Sequence, residues 1–338
     1  MLPDHVMKDL AFSVLRDFYH LSDADIARLE PDAFVARLKG IHRGFNAEHE
    51  FAAIASWLGR CKLVAHPDEL YATNGEFRVP DFLIVSQVSG REGPVLVEVK
   101  TTDDDELVWS EKYLASLRRF AELLHMPLLI AWKRYGLWTL CDTSQFAIAE
   151  TAFHLSFETA MKNNLMTALF GNVFITVKEG FRFEMTYELL DAVDVAQELL
   201  PEGQYRAEVA DVALHTYKGR VPSALTSELF PLFLTKAGEP ATEREGKFLR
   251  HVFPVNPEGM FNLSDLLFTN LTWLREEDNE VDWITEIRKG LPQNGRDLHT
   301  VLKDALEVGA VQYVLQQQPQ DIPVFLRGIL DVIEDQRD

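Results

Sequence analysis

Two short apolar segments that each carry charged side chains constrain the fold of this chain most strongly. Residues 79–88 and 94–101 are rich in valine, leucine and isoleucine, and the second segment also contains Glu98 and Lys100. Short apolar runs with many β-branched residues are typical of strands in a buried sheet. A polar, glycine-containing stretch at 89–93 separates the two segments. The pattern therefore predicts two neighbouring strands joined by a turn.

The charged residues of these strands are predicted to meet at one end of the sheet. Side chains alternate along a strand, so Glu98 and Lys100 share one face while Val97 and Val99 pack on the other. Asp81 stands at the start of the first strand, and pairing across the turn brings it towards Glu98. Two edge-strand charges that simply face solvent are the alternative. That alternative fits poorly, because unpaired charge within an apolar strand is costly.

This group of residues has the chemistry of a metal site. The carboxylates of Asp81 and Glu98, together with the carbonyl of Val99, are hard oxygen donors suited to Mg²⁺ or Mn²⁺. Such an ion polarises a phosphoryl oxygen and lowers the pKa of a bound water. Lys100 would orient that water or stabilise the charge that develops on a phosphate.

The surrounding pattern predicts an α/β fold in the order α-β-β-β-α-β with one closing strand. Apolar spacing predicts the helices, and short apolar runs bounded by turn residues predict the strands. The helices are expected at 48–58 and 109–125, and the strands at 61–65, 69–77, 79–88, 94–101, 127–132 and 137–141.

These features resemble the PD-(D/E)XK nuclease superfamily, which includes many restriction endonucleases and the archaeal Holliday-junction resolvases. The resemblance rests on Pro80-Asp81, followed after sixteen intervening residues by Glu98-Val99-Lys100. The order of helices and strands from about 44 to 141 is also similar to the restriction-endonuclease-like core of that family. The resemblance covers roughly one third of the chain.

The segment before the first strand extends the resemblance. The run 44–48, Gly-Phe-Asn-Ala-Glu, is similar to the start of the first helix in that family. The family's glutamate maps to Glu48, with Glu50 as the less favoured choice. Glu48 would then bind the metal or orient a metal-bound water as a supporting acid.

The resemblance implies hydrolysis of phosphodiester bonds with Mg²⁺ or Mn²⁺. A DNA endonuclease is the preferred interpretation, with Asp81, Glu98, Val99 and Glu48 around the metal and Lys100 as the catalytic cation. A role in host defence or DNA repair and a homodimer follow from the resemblance alone. Two alternatives stay open: a catalytically inactive nuclease fold that binds or regulates, and a ribonuclease that uses the same site.

The charge of the chain argues against a nucleic-acid partner. The net charge is -20 and the pI is near 4.9, whereas proteins that bind phosphates usually present a basic patch. Net charge does not report the field at a cleft, however. The two distant cysteines, Cys61 and Cys141, fit reduced thiols in the cytoplasm. Neither a secretory signal nor an apolar run long enough to span a membrane is evident in the sequence.

Other charged residues are candidates for the same site. The helix after Lys100 begins with several polar side chains, of which Lys112 is preferred over Ser110 and Tyr113. The acidic run 103–106 is interpreted as a solvated loop rather than a metal site. Four cations are expected to form either a phosphate-facing strip or scattered surface charges: Arg118, Arg119, Lys133 and Arg134.

The chain is predicted to contain three parts. Residues 1–45 form an N-terminal helical segment, 46–150 the nuclease-like domain and 151–338 a C-terminal α+β domain. That last part would supply substrate choice, a dimer surface or contacts to a partner protein. Within it, 262–328 fits a winged helix, with a third helix at 297–306 and a hairpin of 311–317 with 322–326. An α-rich extension is the alternative.

Overall fold

The computed structural model describes residues 47–67, 76–88, 91–149, 151–190, 206–257, 259–267 and 298–326. The predicted N-terminal helical segment, 1–45, lies outside the described residues. Within the described ranges the chain has a mixed α/β fold with four β-sheets. No helix in these ranges is both long and apolar enough to cross a membrane.

The first sheet has five strands in the order β1-β2-β3-β5-β6. Strands β3 and β5 run parallel and the other neighbours are antiparallel. A parallel pair needs a crossover connection, which the second helix provides here. The elements are α1 (47–57), β1 (Cys61–Ala65), β2 (Phe82–Val88), β3 (Arg91–Thr101), β4 (Glu106–Ser110), α2 (Glu111–Leu124), β5 (Leu128–Arg134) and β6 (Leu137–Asp142).

Helix α2 begins later than predicted. Trp109 belongs to β4, where it is buried and packs against Phe146. The side chain of Ser110 caps the helix by accepting a hydrogen bond from Tyr113 N at 3.3 Å. Serine is a favoured residue at this position because its hydroxyl satisfies a free backbone N–H. The apolar pattern alone does not show this boundary, because a buried tryptophan fits the end of a strand as well as the start of a helix.

The strand predicted at 69–77 is not observed where the structure describes it. Residues 68–75 lie outside the described ranges, and 76–80 form a turn and a connection into β2 that belongs to no strand. Arg78 N donates to Ser116 O at 3.3 Å, so this connection lies against α2 rather than in the sheet.

The two faces of the first sheet pack against different helices. Val97 and Val99 belong to a core shared with α1, in which the Phe51 ring contacts the rings of Trp138 and Phe170. Neighbouring residues of β3 and β5 point the other way and pack with α2; they include Leu96, Ile130 and Trp132. Glu98 and Lys100 therefore lie on the face towards α2, as the alternation predicts.

The remainder of the described chain contributes three further sheets. Their orders are β4-β8-β7, β12-β11-β10-β14-β13 and β15-β9-β16. The strands are β7 (Ala147–Ala149), β8 (Ala152–Ser156), β9 (Phe174–Val177), β10 (Arg182–Leu189), β11 (Ala207–Thr216), β12 (Gly219–Arg220), β13 (Ala241–Glu245), β14 (Phe248–Pro254), β15 (Met260–Asn262) and β16 (Val311–Leu315). The helices are α3 (Phe157–Lys162), α4 (Met166–Phe170), α5 (Ser223–Phe233), α6 (263–267) and α7 (Leu298–Val308).

The prediction of a hairpin between 311–317 and 322–326 is wrong. Strand β16 pairs antiparallel with β9, and 324–326 forms a helical turn in which Leu326 N donates to Pro323 O. Prolines at 319 and 323 disfavour a ladder there because they lack a backbone N–H. Helix α7 does cover the predicted third helix. Residues 268–297 of the predicted winged helix lie outside the described residues. Because 322–326 does not pair with 311–317, the hairpin that would form the wing is absent from the described residues.

One hydrophobic core joins residues on both sides of position 150. It contains Phe51, Val97 and Trp138 as well as Phe170 and Val301. Hydrogen bonds reinforce the junction: Leu165 N donates to Leu140 O at 2.7 Å, and Leu140 N donates to the Asn164 side chain at 2.9 Å. The sheet that carries the candidate site is thus supported from behind by later parts of the chain.

Candidate active site

Asp81 is fixed to strand β3 from the start of β2. Phe82 pairs with Val97, which places Asp81 beside Glu98. The Asp81 carboxylate accepts a hydrogen bond from Val99 N at 2.6 Å. The side chain is buried, with 8% of the residue exposed. Local pairing therefore holds the two carboxylates at one end of the sheet.

Glu98 is buried and its two carboxylate oxygens have different surroundings. Oε1 accepts from Lys100 Nζ at 2.6 Å and from the Tyr113 hydroxyl. Oε2 is buried, and within the described residues it has no hydrogen-bond partner. A buried carboxylate oxygen without a donor is costly. One oxygen is thus held in place while the other is left for a further positive group.

Lys100 provides the positive charge of the site. Burial lowers the pKa of Lys100, but the interactions with Glu98, Tyr113 and Asp81 together outweigh burial, and the pKa is raised overall. Its Nζ also lies 5.9 Å from the Trp109 ring centroid and 5.6 Å from that of Tyr113. Cation–π contacts of this kind favour the charged form. Lys100 is therefore a fixed cation at neutral pH.

The site holds more negative charge than its own cation neutralises. Burial and, after it, the charge of Glu98 raise the pKa of Asp81 to about 7, while Lys100 opposes the shift. Glu48 also raises it. A carboxyl group with this pKa is one that gains from a nearby cation.

The residues present fit one hard divalent cation. Mg²⁺ is typically held by one or two carboxylates together with water molecules, and here Asp81 and Glu98 supply two carboxylates with one unpartnered oxygen. The carbonyl of Val99, the residue directly after Glu98, is a further hard oxygen donor. Among the described residues, no cluster of three or more His, Cys, Asp or Glu side chains is arranged as a metal site. Glu48 is therefore not placed as a third ligand.

Glu48 lies at the rim, facing a histidine. Its Oε2 is 3.7 Å from His66 Nε2, and the His66 ring packs edge-on against Phe82 at 5.3 Å between centroids. The contact with Glu48 raises the pKa of His66, although burial opposes it, and Asp81 adds to the increase. Glu48, His66 and Asp81 thus share one electrostatic environment.

Glu50 belongs to a separate buried ion pair. Its oxygens accept from Lys133 Nζ at 2.6 and 2.7 Å and from Trp138 Nε1 at 2.9 Å. Burial raises the pKa of Glu50 despite Lys133. With both oxygens engaged in holding α1 to β5 and β6, Glu50 is a structural residue, which leaves Glu48 as the glutamate near the site.

The polar group that α2 brings to the site is Tyr113 rather than Lys112. The Tyr113 hydroxyl donates to Glu98, and burial raises the pKa of this phenol to about 12, with the charge of Glu98 adding to the effect. The hydroxyl therefore remains a donor at neutral pH. Lys112 is exposed and lines a groove beside the site.

The four cations considered as a phosphate-facing strip are engaged elsewhere. Arg118 donates to Thr143 O at 2.6 Å, Lys133 pairs with Glu50, and Arg134 is buried and pairs with Asp105 of the acidic run. Arg119 donates to the carbonyl of Glu76. They do not form a strip, because each anchors a different part of the fold.

His66 is the residue near the site that the sequence did not indicate. It directly follows β1, and the pairing of Ala65 with Leu83 carries it to the start of β2. The only sequence feature that could have indicated His66 is its position immediately after the first predicted strand. It depends on the register of β1 against β2, which local patterning does not determine.

The similarity of this chain to known proteins is low. No protein-family model matches the chain, and no curated protein matches it. Among solved structures, the chain is similar to Hjc, a Holliday junction resolvase from Archaeoglobus fulgidus, with 16% sequence identity. The alignment covers 29% of this chain and 79% of the resolvase, with a TM-score of 0.24. A likeness of this size carries no argument about fold or activity.

Proposed function

We propose that this chain is a divalent-metal-dependent endonuclease with a PD-(D/E)XK core, and that its substrate is DNA. The observation that carries the proposal is a buried Glu98 oxygen without a hydrogen-bond partner among the described residues, on a strand whose pairing puts Asp81 beside Glu98. The Lys100 ammonium lies 2.6 Å from the other Glu98 oxygen. Two carboxylates can hold a divalent metal that polarises a phosphoryl oxygen, and a lysine beside them can stabilise the charge that develops on the phosphate.

The order of elements supports the proposed core. Helix α1 precedes β1, β2 and β3, and α2 then leads into β5 and the closing strand β6. Strand β4 is an addition between β3 and α2 that pairs with β8. On this proposal residues 46–150 form the nuclease domain, 1–45 precede it as a helical segment and 151–338 form a C-terminal α+β domain.

Each residue has a definable part in the proposed reaction. Asp81 and Glu98, with the Val99 carbonyl, would hold Mg²⁺ or Mn²⁺, and the bound ion supplies Lewis-acid polarisation of the phosphate. Lys100 keeps its proton and presents positive charge where negative charge develops on the phosphate. Hydrogen bonds from Tyr113 and from the Val99 amide orient the two carboxylates. Glu48 acts from the rim as a supporting acid.

The substrate and assembly are further parts of the proposal. DNA is preferred over RNA by the resemblance of the motif alone, and a homodimer would let two sites address two strands. The C-terminal region would then supply substrate choice or a surface for a partner protein. An inactive binding module and a ribonuclease remain the two alternatives, and the acidity of the chain favours the first.

A cleavage assay distinguishes these possibilities. Purified protein is incubated with plasmid, branched DNA, single-stranded DNA and RNA, with EDTA, Mg²⁺ or Mn²⁺. We expect metal-dependent cutting of DNA that is lost in Asp81→Asn and in Lys100→Gln. The matched controls, Asp103→Asn and Lys162→Gln, change exposed side chains of the same types and should cut normally.

Each other outcome selects a different conclusion. Cutting that persists in Asp81→Asn contradicts the assignment of Asp81 to the active site. Cutting confined to RNA selects the ribonuclease, and no cutting of any substrate by a folded protein selects the binding module.

A further inference from the structure

A cationic groove lies beside the candidate site, on the side of α2. We call it the Arg78 groove. Its lining comes from the connection before β2 and from α2 with its cap, and it includes Glu76, Arg78, Lys112, Tyr113 and Arg119.

The wall of the groove is held in place by hydrogen bonds. Arg78 N donates to Ser116 O at 3.3 Å. The Arg119 guanidinium donates twice to the carbonyl of Glu76, at 3.2 and 3.0 Å. Both contacts tie residues 76–78 to α2. The groove is therefore a built surface rather than a loose loop, and Arg119 is a positioning residue within it.

The charge of the groove is opposite to that of the chain. Three cations, Arg78, Lys112 and Arg119, line it with a single carboxylate, Glu76, while the whole chain carries -20. Arg78 and Lys112 are both exposed. Within the described residues, no carboxylate forms an ion pair with Lys112. A local positive field of this kind attracts phosphates even when the net charge is negative.

Tyr113 connects the groove to the candidate site. Its hydroxyl donates to Glu98 Oε1, while the Arg78 guanidinium lies 4.5 Å from the centroid of its ring. The same residue thus contacts a proposed metal ligand and a groove cation. The groove therefore adjoins the candidate site through the side chain of Tyr113.

We propose that the Arg78 groove binds the phosphodiester backbone of the nucleic-acid strand on one side of the bond to be cut, with Arg78 and Lys112 contacting its phosphates. The inference rests on the proposed function, because the groove would bind the nucleic acid that the candidate active site cuts. Contacts of this type do not read sequence. They contribute affinity through release of counterions, so their loss is visible in the salt dependence of binding.

The test uses Lys112→Gln, which removes one exposed cation and leaves Tyr113 and Arg78 in place. Binding of fluorescent DNA of two unrelated sequences is measured by anisotropy across a range of NaCl concentrations, in EDTA and in an Asp81→Asn background so that the probe stays intact. Lys303→Gln, an exposed lysine on α7, is the matched control. Thermal unfolding confirms that each variant is folded.

We expect Lys112→Gln to weaken binding of both sequences equally and to reduce the slope of log K against log salt by about 1. Lys303→Gln should leave the slope unchanged. A slope in Lys112→Gln equal to that of the Asp81→Asn parent overturns the inference. Failure of the proposed function is seen separately, as absence of metal-dependent cutting by the protein with Asp81 intact.

Discussion

Both hydrogen bonds to the Glu98 side chain are accepted by one oxygen, Oε1. The two oxygens of this carboxylate therefore differ in how far their negative charge is compensated. Lys100 and Tyr113 hold Oε1, while the buried Oε2 remains for a cation. Asp81 accepts a hydrogen bond from the Val99 amide, and burial together with the charge of Glu98 raises its pKa to about 7 although Lys100 opposes the shift. Without metal, the protein bears the cost of keeping two carboxylates together.

This cost predicts how stability depends on pH. Between its ordinary pKa of 3.8 and the folded value of about 7, Asp81 binds a proton in the native state that the unfolded chain releases. The contribution of Asp81 to stability is therefore complete below pH 4 and is lost as the pH rises through 7. Asparagine does not titrate, so Asp81→Asn should be the more stable protein at pH 8 in EDTA.

The measurement is urea unfolding of wild type and Asp81→Asn at pH 4.5, 6 and 8 without metal. Each unit of pKa shift corresponds to about 1.4 kcal/mol, so the difference at pH 8 is on the order of a few kcal/mol and shrinks towards pH 4.5. Asp103→Asn, at an exposed position, should show no such trend. A constant difference across this range is incompatible with a raised pKa at Asp81.

The residues of the site were predictable to different degrees. Strand alternation placed Glu98 and Lys100 on one face, because that period is fixed by backbone geometry. The sequence could not choose firmly between Glu48 and Glu50. They lie two apart on a helix, so they point in different directions, and only the tertiary position of Lys133 and Trp138 shows which one is used in the core.

At the scale of elements, a buried ion pair joins α1 to the strands behind the site. Glu50 and Lys133 have side-chain exposures of 8% and 19%, and Glu50 also accepts from Trp138 Nε1. Removing one partner of such a pair leaves the other charge buried and costs about 3–5 kcal/mol. Lys133→Met should therefore destabilise the protein by roughly 3 kcal/mol.

Thermal and urea unfolding of Lys133→Met check this value. Lys162→Met breaks the exposed pair with Glu158 and should cost less than about 1 kcal/mol. Adding Glu50→Gln to Lys133→Met should restore part of the loss, because the unpaired charge is removed. A double variant that is less stable than Lys133→Met alone contradicts a role based on charge pairing.

Pairing between elements was harder to predict than the elements themselves. The sequence predicts strand 311–317 closely, since β16 covers Val311–Leu315. It assigned the wrong partner, because the nearest downstream segment was favoured over β9, more than 130 residues upstream. Likewise Trp109 was assigned to a helix, although its antiparallel pairing with Phe153 of β8 holds it in β4. Long-range pairing depends on packing that local patterning does not contain.

For the whole molecule, the candidate site depends on a core that extends far along the chain. Phe51 of α1 packs on Phe82 at the start of β2 and on Phe170 of α4. The register of β2, and with it the position of Asp81, is thus supported by residues after 150. The chain's net charge of -20 is compatible with a nucleic-acid substrate only if a local cationic surface exists, which is the part the Arg78 groove would play.

Binding of Mn²⁺ is the measurement that tests the central claim most directly. Free Mn²⁺ is followed by electron paramagnetic resonance as protein is added, and Mg²⁺ is then used as a competitor. We predict binding by the wild-type protein that Mg²⁺ displaces, strong loss of affinity in both Asp81→Asn and Glu98→Gln, and unchanged binding in Asp103→Asn. Equal affinity in the wild type and in both site variants would contradict the metal site.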